Sequence, residues 1–107
     1  MSSHCVGSID NIPVGEGRAY DVDGTEVAVY RLRDGTLRAL AAVCPHRGGP
    51  LADGLIDDRV VVCPLHGHTY DLATGAELAA GGDTVRPYHV TATDDGNIHI
   101  DTRPTTS

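Results

Sequence analysis

The sequence predicts a small all-β protein, an antiparallel sandwich or open barrel, and two observations support this fold class. The 107-residue chain contains 13 glycines and 6 prolines, which interrupt nearly every stretch of ten residues, so no long helical period of apolar residues survives. The apolar residues occur instead in short runs that are typical of strands. Because Phe and Trp are absent, the core must be built from aliphatic side chains and some of the four tyrosines.

The predicted strands follow one another with turn residues between them. They are residues 18–22, 25–31, 37–43, 59–62, 69–71, 85–93 and 98–100. Asp23-Gly24, between the first two strands, is a strong hairpin signal. Asp34-Gly35 extends the same meander to a third strand, and residues 94–97 turn the last pair. The length fits a single domain over residues 1–107.

The charge and the apolar pattern exclude several classes of partner. A formal net charge of −7 argues against a nucleic-acid binder, which normally carries a basic footprint. The same charge is compatible with docking to a basic patch on a partner protein. No stretch approaches the about 20 apolar residues of a membrane span, and the N-terminus does not resemble a secretory signal. We therefore expect a cytoplasmic protein that binds neither nucleic acid nor membrane.

Two loop-like segments, about residues 43–54 and 62–70, each carry one cysteine and one histidine. The first contains Cys44-Pro-His46 and the second Cys63-Pro-Leu-His66, with sixteen residues between the two pairs. Three cysteines in a cytosolic chain favour metal ligands or free thiols over a disulfide framework. A structural zinc site is the alternative, but paired zinc ligands are usually about two to four residues apart, and a single residue separates Cys44 from His46.

This arrangement resembles the Rieske iron–sulfur family, and the resemblance implies one Rieske-type [2Fe–2S] cluster in a two-loop subdomain of the Rieske fold. In that family two cysteines hold one iron and two histidines hold the other. Carried over, Cys44 and Cys63 bind the first iron, and His46 and His66 bind the second. Two thiolates leave less negative charge on the cluster than four would, so it is reduced more readily, within a window of roughly −150 to +300 mV.

The resemblance also implies neighbours that tune the cluster. Gly48, Gly49 and Gly67 would let backbone N–H groups approach the sulfides, although ordinary turn chemistry predicts the same residues. Tyr70 matches the position from which a tyrosine of the respiratory-complex members donates a hydrogen bond to a ligand cysteine. The alternative for Tyr70 is a side chain that faces the core of a strand.

Two departures from the respiratory-complex members predict a potential in the low half of that window. Those members join the two loops by a disulfide, where this chain has Gly49 and Leu65. They also have a serine where this chain has His68, and loss of a hydroxyl donor lowers the potential. His68 is either a solvent-exposed loop residue or a proton-coupled group near the cluster. Cys5 is expected to be a free thiol near a loose end of the chain.

The implied function is single-electron transfer without an independent catalytic site. The chain has no Gly-rich dinucleotide fingerprint after a strand, so partners must supply and accept the electrons. Residues 24–42 and 85–90 resemble the small subunit of NAD(P)H-dependent nitrite reductase, which implies a large reductase subunit as partner. The alternatives are a free-standing Rieske ferredoxin between a flavin reductase and an oxygenase, and a redox-sensing module.

Overall fold

The computed structural model describes residues 3–22, 24–42, 54–57, 59–62, 69–72, 74–76 and 85–101. Within these residues lie nine strands and one short 3-10 helix, Ile9–Asn11, so the predicted all-β class is confirmed. The strands are β1 Ser3–Ser8, β2 Glu16–Val22, β3 Thr25–Arg31, β4 Leu37–Ala41, β5 Leu55–Ile56, β6 Val60–Val62, β7 Thr69–Asp71, β8 Pro87–Ala92 and β9 Asn97–Asp101. The described part of the chain contains no helix of the length and apolarity that a membrane crossing requires.

Two antiparallel sheets build the fold. Six strands form the larger sheet in the order β1-β9-β8-β4-β3-β2. Its two edge strands approach each other to within 8 Å between Cα atoms, so this sheet nearly closes into a barrel. Three further strands form a smaller sheet in the order β5-β6-β7. We refer to these two units as the barrel and the small sheet.

The predicted meander is present and has the predicted turn. β2 and β3 pair without interruption from Glu16 and Arg31 to Val22 and Thr25. Gly24 adopts the left-handed conformation at φ 81°, which a glycine reaches without steric cost. β4 pairs with β3, and β8 pairs with β9 across the predicted turn at residues 94–97.

The sequence prediction misses β1 and β5. β1 forms by pairing with β9, a contact between distant parts of the chain that no local pattern encodes. β5 contains two residues and is too short to show a period. Cys5 lies within β1 as an exposed free thiol, so the predicted free thiol is confirmed and its placement near a loose end is wrong.

β3 separates two hydrophobic cores, because residues 27–30 are all buried and successive side chains of a strand point to opposite faces. The core inside the barrel includes Ile12, Val27, Val29, Ile98 and Ile100. The core between the barrel and the small sheet includes Ala28, Tyr30, Ala42, Val61, Tyr70 and Val85. The second core therefore fixes the small sheet against one face of the barrel.

Candidate metal centre

Both predicted ligand segments are attached to the same end of the small sheet. Leu55, just after the first segment, lies opposite Val62, which immediately precedes Cys63. Val62 in turn lies opposite Thr69, which follows the second segment. Neighbouring strands are about 4.8 Å apart, so these three attachment residues span about 10 Å. The two cysteine–histidine pairs therefore start from one small region of the fold.

The beginning of the first segment is also held at the boundary between the barrel and the small sheet. Ala42, the last described residue before that segment, donates a backbone hydrogen bond to the carbonyl oxygen of Glu26 at 3.0 Å. Its side chain is 2% exposed and belongs to the core that contains Val61 and Tyr70. This packing directs the chain from β4 towards the small sheet.

The second segment is the loop of a hairpin. β6 and β7 pair at three positions, and Val62 and Thr69 are the last pair before the loop. The strand predicted at residues 59–62 is thus present as β6 and leads directly into the second ligand segment. The strands that flank the loop end at Val62 and begin again at Thr69, within the predicted bounds of about 62–70.

A capped turn joins β5 to β6, between the two ligand segments. The sequence prediction missed this turn. The Asp57 carboxylate accepts hydrogen bonds from the backbone N–H groups of Arg59 at 2.8 Å and Val60 at 3.0 Å. These two bonds favour the ionised form and hold the pKa of Asp57 below its ordinary value. The Asp57 N–H also donates to the Val60 carbonyl at 3.0 Å, which fixes the register of β5 on β6.

A second turn connects β7 to the barrel. The carboxylate of Asp71 accepts a hydrogen bond from the Thr74 N–H at 3.0 Å, and its carbonyl accepts one from the Gly75 N–H at 2.7 Å. Gly75 adopts φ 77°, and a Cβ built on it would overlap the carbonyl oxygen of Val85. Only glycine fits this approach, so Gly75 positions the connection between β7 and the barrel.

Tyr70 lies in the centre of the small sheet, directly opposite Val61, and its side chain is fully buried. It therefore faces the core between the barrel and the small sheet. The predicted hydrogen bond from its hydroxyl to a ligand cysteine would link this core to the cluster. Since the cysteine in question lies outside the described residues, that bond stays a prediction.

The predicted ligands themselves lie outside the described residues, as do several predicted neighbours. These residues are Cys44, His46, Cys63, His66, Gly48, Gly49, Gly67 and His68. Across the residues that the structure does describe, no group of three or more His, Cys, Asp or Glu side chains could hold a metal ion. The predicted ligands, two thiolates and two imidazoles, would fit a [2Fe–2S] cluster with two cysteines on one iron and two histidines on the other.

Known proteins are similar to this chain in both sequence and fold. A family model described as "Rieske [2Fe-2S] domain" matches residues 2–98. The anthranilate 1,2-dioxygenase ferredoxin subunit of Burkholderia cepacia is 33% identical over 98 residues, which are 91% of this chain and 89% of that protein.

Two further proteins are similar to the chain. The ferredoxin component of the naphthalene 1,2-dioxygenase/salicylate 5-hydroxylase systems of Ralstonia sp is 34% identical over 70 residues, or 65% of this chain. The match spans 66% of that protein, slightly less than two thirds. A solved structure from Mycobacterium tuberculosis, described as an NADH-dependent nitrite reductase small subunit, superposes with a TM-score of 0.89 at 26% identity over 96% of both chains.

Proposed function

Because the chain belongs to the Rieske [2Fe–2S] domain family, we propose that it carries single electrons between two partner proteins. Cys44 and Cys63 would bind one iron of the cluster, and His46 and His66 would bind the other. The observation that carries this proposal is the common attachment of both ligand segments at one end of the small sheet. A cluster held there could exchange electrons without any catalytic residue elsewhere in the chain.

The predicted cofactor, one Rieske-type [2Fe–2S] cluster, is confirmed by membership of the family. When bound, it supplies one-electron redox chemistry. The chain's own residues hold the ligands in place. The β6–β7 hairpin presents the second pair, and the buried side chains of Val61 and Tyr70 exclude water from the core beneath it.

We propose the small subunit of an NAD(P)H-dependent nitrite reductase as the first candidate role. The likeness to a protein of that description over nearly the whole of both chains supports it. The partner would then be a large reductase subunit. The chain would work in the cytoplasm, where nicotinamide cofactors are present.

A ferredoxin that transfers electrons from a flavin reductase to an oxygenase is the second candidate role. It is supported by the ferredoxin subunit of anthranilate 1,2-dioxygenase, which matches nearly the full chain. Both roles require the same cluster and the same transfer of one electron. They differ in the partner proteins, so the partner is the property to test.

The cluster is tested on anaerobically purified protein. We expect the visible absorption and the electron paramagnetic resonance signal of a Rieske cluster, with two irons and two sulfides per chain. A redox titration should give a midpoint in the low half of the window from roughly −150 to +300 mV. Protein that binds zinc in place of iron after anaerobic reconstitution would contradict the proposal.

The partner is tested by anaerobic pull-down with the tagged chain as bait, followed by an assay of nitrite-dependent NAD(P)H oxidation. Recovery of a large flavin- and sirohaem-containing protein with that activity supports the nitrite reductase role. Recovery of a flavin reductase or an oxygenase supports the ferredoxin role and contradicts the first. A chain with a substituted cluster ligand serves as the control, because it should bind the partner without supporting electron flow.

A further inference from the structure

An exposed leucine lies where the first ligand segment joins the small sheet. Leu55 is 80% exposed, and the other large apolar side chain exposed on the described surface is Val14, at 53%. Leu55 begins β5, one of the two edge strands of the small sheet, and β5 lies beside β2 of the barrel. A solvated leucine at this position contributes nothing to either core and leaves apolar surface exposed beside the end of the first ligand segment.

Two exposed carboxylates lie across the β2–β3 hairpin on the same side of the molecule. Asp21 and Glu26 are directly opposite each other in the register. Like charges in this arrangement destabilise a sheet. Asp21 caps its own turn by accepting a hydrogen bond from Gly24 N–H at 3.0 Å. Glu26 is exposed and makes no side-chain hydrogen bond or ion pair in the described part of the structure, so its carboxylate is available to another molecule.

The register places these carboxylates next to the ligand segments. Glu26 and Ala28 point to the same face of β3, and Ala28 packs in the core beneath the small sheet. The carbonyl of Glu26 accepts the hydrogen bond from Ala42, where the first segment begins. Glu26 therefore lies at the beginning of that segment and Leu55 at its end.

We propose that Asp21, Glu26 and Leu55, which we call the docking rim, contact a redox partner protein whose matching surface is basic around an apolar centre. The proposal rests on the electron-transfer function above, because a partner must dock close to the cluster ligands. The net charge of −7 attracts a basic partner from a distance, and the two carboxylates orient it at the correct end of the molecule. Leu55 then supplies contact area that is independent of salt.

The opposite end of the barrel provides matched controls. Asp95 is exposed in the β8–β9 turn, and Val14 is exposed before β2. Both residues lie at the end of the barrel where β3 finishes at Arg31. Val14 is there because its neighbour Gly15 donates a backbone hydrogen bond to the Arg31 carbonyl. The β8–β9 turn that contains Asp95 is there because its Gly96 carbonyl accepts a hydrogen bond from the N–H of Ile9. Arg31 also donates to the Ile9 carbonyl at 3.3 Å, which joins these groups at one end. Asp95→Lys thus makes the same change of net charge as Glu26→Lys, but far from the docking rim.

The test is stopped-flow oxidation of the dithionite-reduced protein by ferric cytochrome c, a basic one-electron acceptor. Each productive encounter passes one electron from the reduced chain to the haem iron. At low ionic strength we expect Glu26→Lys to lower the second-order rate constant by about tenfold, and the difference should vanish at high salt. Leu55→Ser should lower the rate constant at every ionic strength, whereas Asp95→Lys and Val14→Ser should change it less than about twofold.

The controls separate this proposal from the proposed function. All four variants should keep the visible spectrum and the midpoint potential of the unsubstituted protein. An intact spectrum together with equal slowing by Glu26→Lys and Asp95→Lys would show that net charge alone attracts the acceptor, and the docking rim would be refuted. Absence of a Rieske spectrum in the unsubstituted protein would instead refute the proposed function.

Discussion

The barrel and the small sheet are both antiparallel, but three of the barrel's five strand pairs extend over five or more residues, whereas the pairs of the small sheet are all short. The barrel has one pairing as short as these, between β4 and β8 at two positions. β2 and β3 pair over seven residues. β5 and β6 pair at two positions, and β6 and β7 pair at three. Sheets this small are marginally stable alone. The part of the fold that presents the ligands therefore depends more on capped turns and on packing against the barrel than the long β2–β3 hairpin does.

The largest effect should come from replacing a cluster ligand. This change should prevent the cluster from forming and leave the barrel folded. Cys63→Ser should abolish the native cluster, because a serine hydroxyl does not replace the thiolate on iron. The visible absorption and the paramagnetic resonance signal report the loss, and far-ultraviolet circular dichroism should still show the barrel. Cys5→Ser, at an exposed position of β1, is the matched control and should keep the full signal. A native spectrum in Cys63→Ser would refute the ligand assignment.

Gly75→Ala should disturb the connection between the two regions. The left-handed backbone alone costs an alanine about 1–2 kcal/mol. At Gly75 the added Cβ also overlaps the Val85 carbonyl, so the loss in free energy of unfolding should exceed that figure. Cluster content should fall as well, because Gly75 links β7 to the barrel. Chemical denaturation and iron content measure the two effects.

The matched control for Gly75→Ala lies in the barrel. Gly35 has φ 89°, and a Cβ built on it meets nothing within 4 Å. Gly35→Ala should therefore lose only the about 1–2 kcal/mol of the left-handed conformation and keep its cluster. Equal losses in the two variants would mean that the Gly75 turn has no special role.

A smaller effect is expected at the Asp57 turn, and it should depend on pH. Hydrogen bonds from Arg59 and Val60 lower the pKa of Asp57 from its ordinary 3.8. A lowered carboxyl pKa stabilises the fold above pH 3.8, and this contribution is lost as the pH falls through the lower, folded-state value. Asp57→Asn should release its cluster faster than the unsubstituted protein at neutral pH, and the difference should shrink below pH 3.8.

Asp34 offers the same kind of turn within the barrel. Hydrogen bonds from the side chain and backbone of Thr36 hold the pKa of Asp34 below its ordinary value. Asp34→Asn should change thermal unfolding at neutral pH without changing the rate of cluster release. If both variants released the cluster equally fast, the Asp57 turn of the small sheet would hold the cluster no more specifically than a turn of the barrel does.

The smallest effect should come from Tyr70→Phe, which removes one hydroxyl and leaves the packing intact. If this hydroxyl donates to a ligand cysteine, its loss lowers the midpoint potential, because a hydrogen bond to sulfur favours the reduced cluster. Tyr30→Phe is the control, since Tyr30 is equally buried in the same core but lies on β3 of the barrel. The midpoint potential measured by protein-film voltammetry should shift for Tyr70→Phe and not for Tyr30→Phe. An unchanged potential in Tyr70→Phe would show that Tyr70 has a purely structural role.

The sequence by itself determined the elements whose signals are local. The hairpin of β2 and β3 follows from Asp23-Gly24 between two apolar runs, and the pairing of β8 with β9 follows from the turn at residues 94–97. The two cysteine–histidine pairs indicate the cofactor through their resemblance to the Rieske family, because the residue types and their spacing determine which donor atoms are available. All of these features depend on residues that are close together in the sequence or on residue type, and none depends on which distant residues are in contact.

Only the tertiary structure decided the rest, because it depends on contacts between distant residues. β1 exists as a strand because β9 is available to pair with it. Asp57 and Gly75 become positioning residues only when the β5–β6 register and the approach of Val85 are known. Likewise, the sequence already places Leu55 at the end of the first ligand segment, but only the fold brings Glu26 to its beginning. Local patterns encode backbone preference and ligand chemistry, whereas the packing of two sheets decides which residues become neighbours.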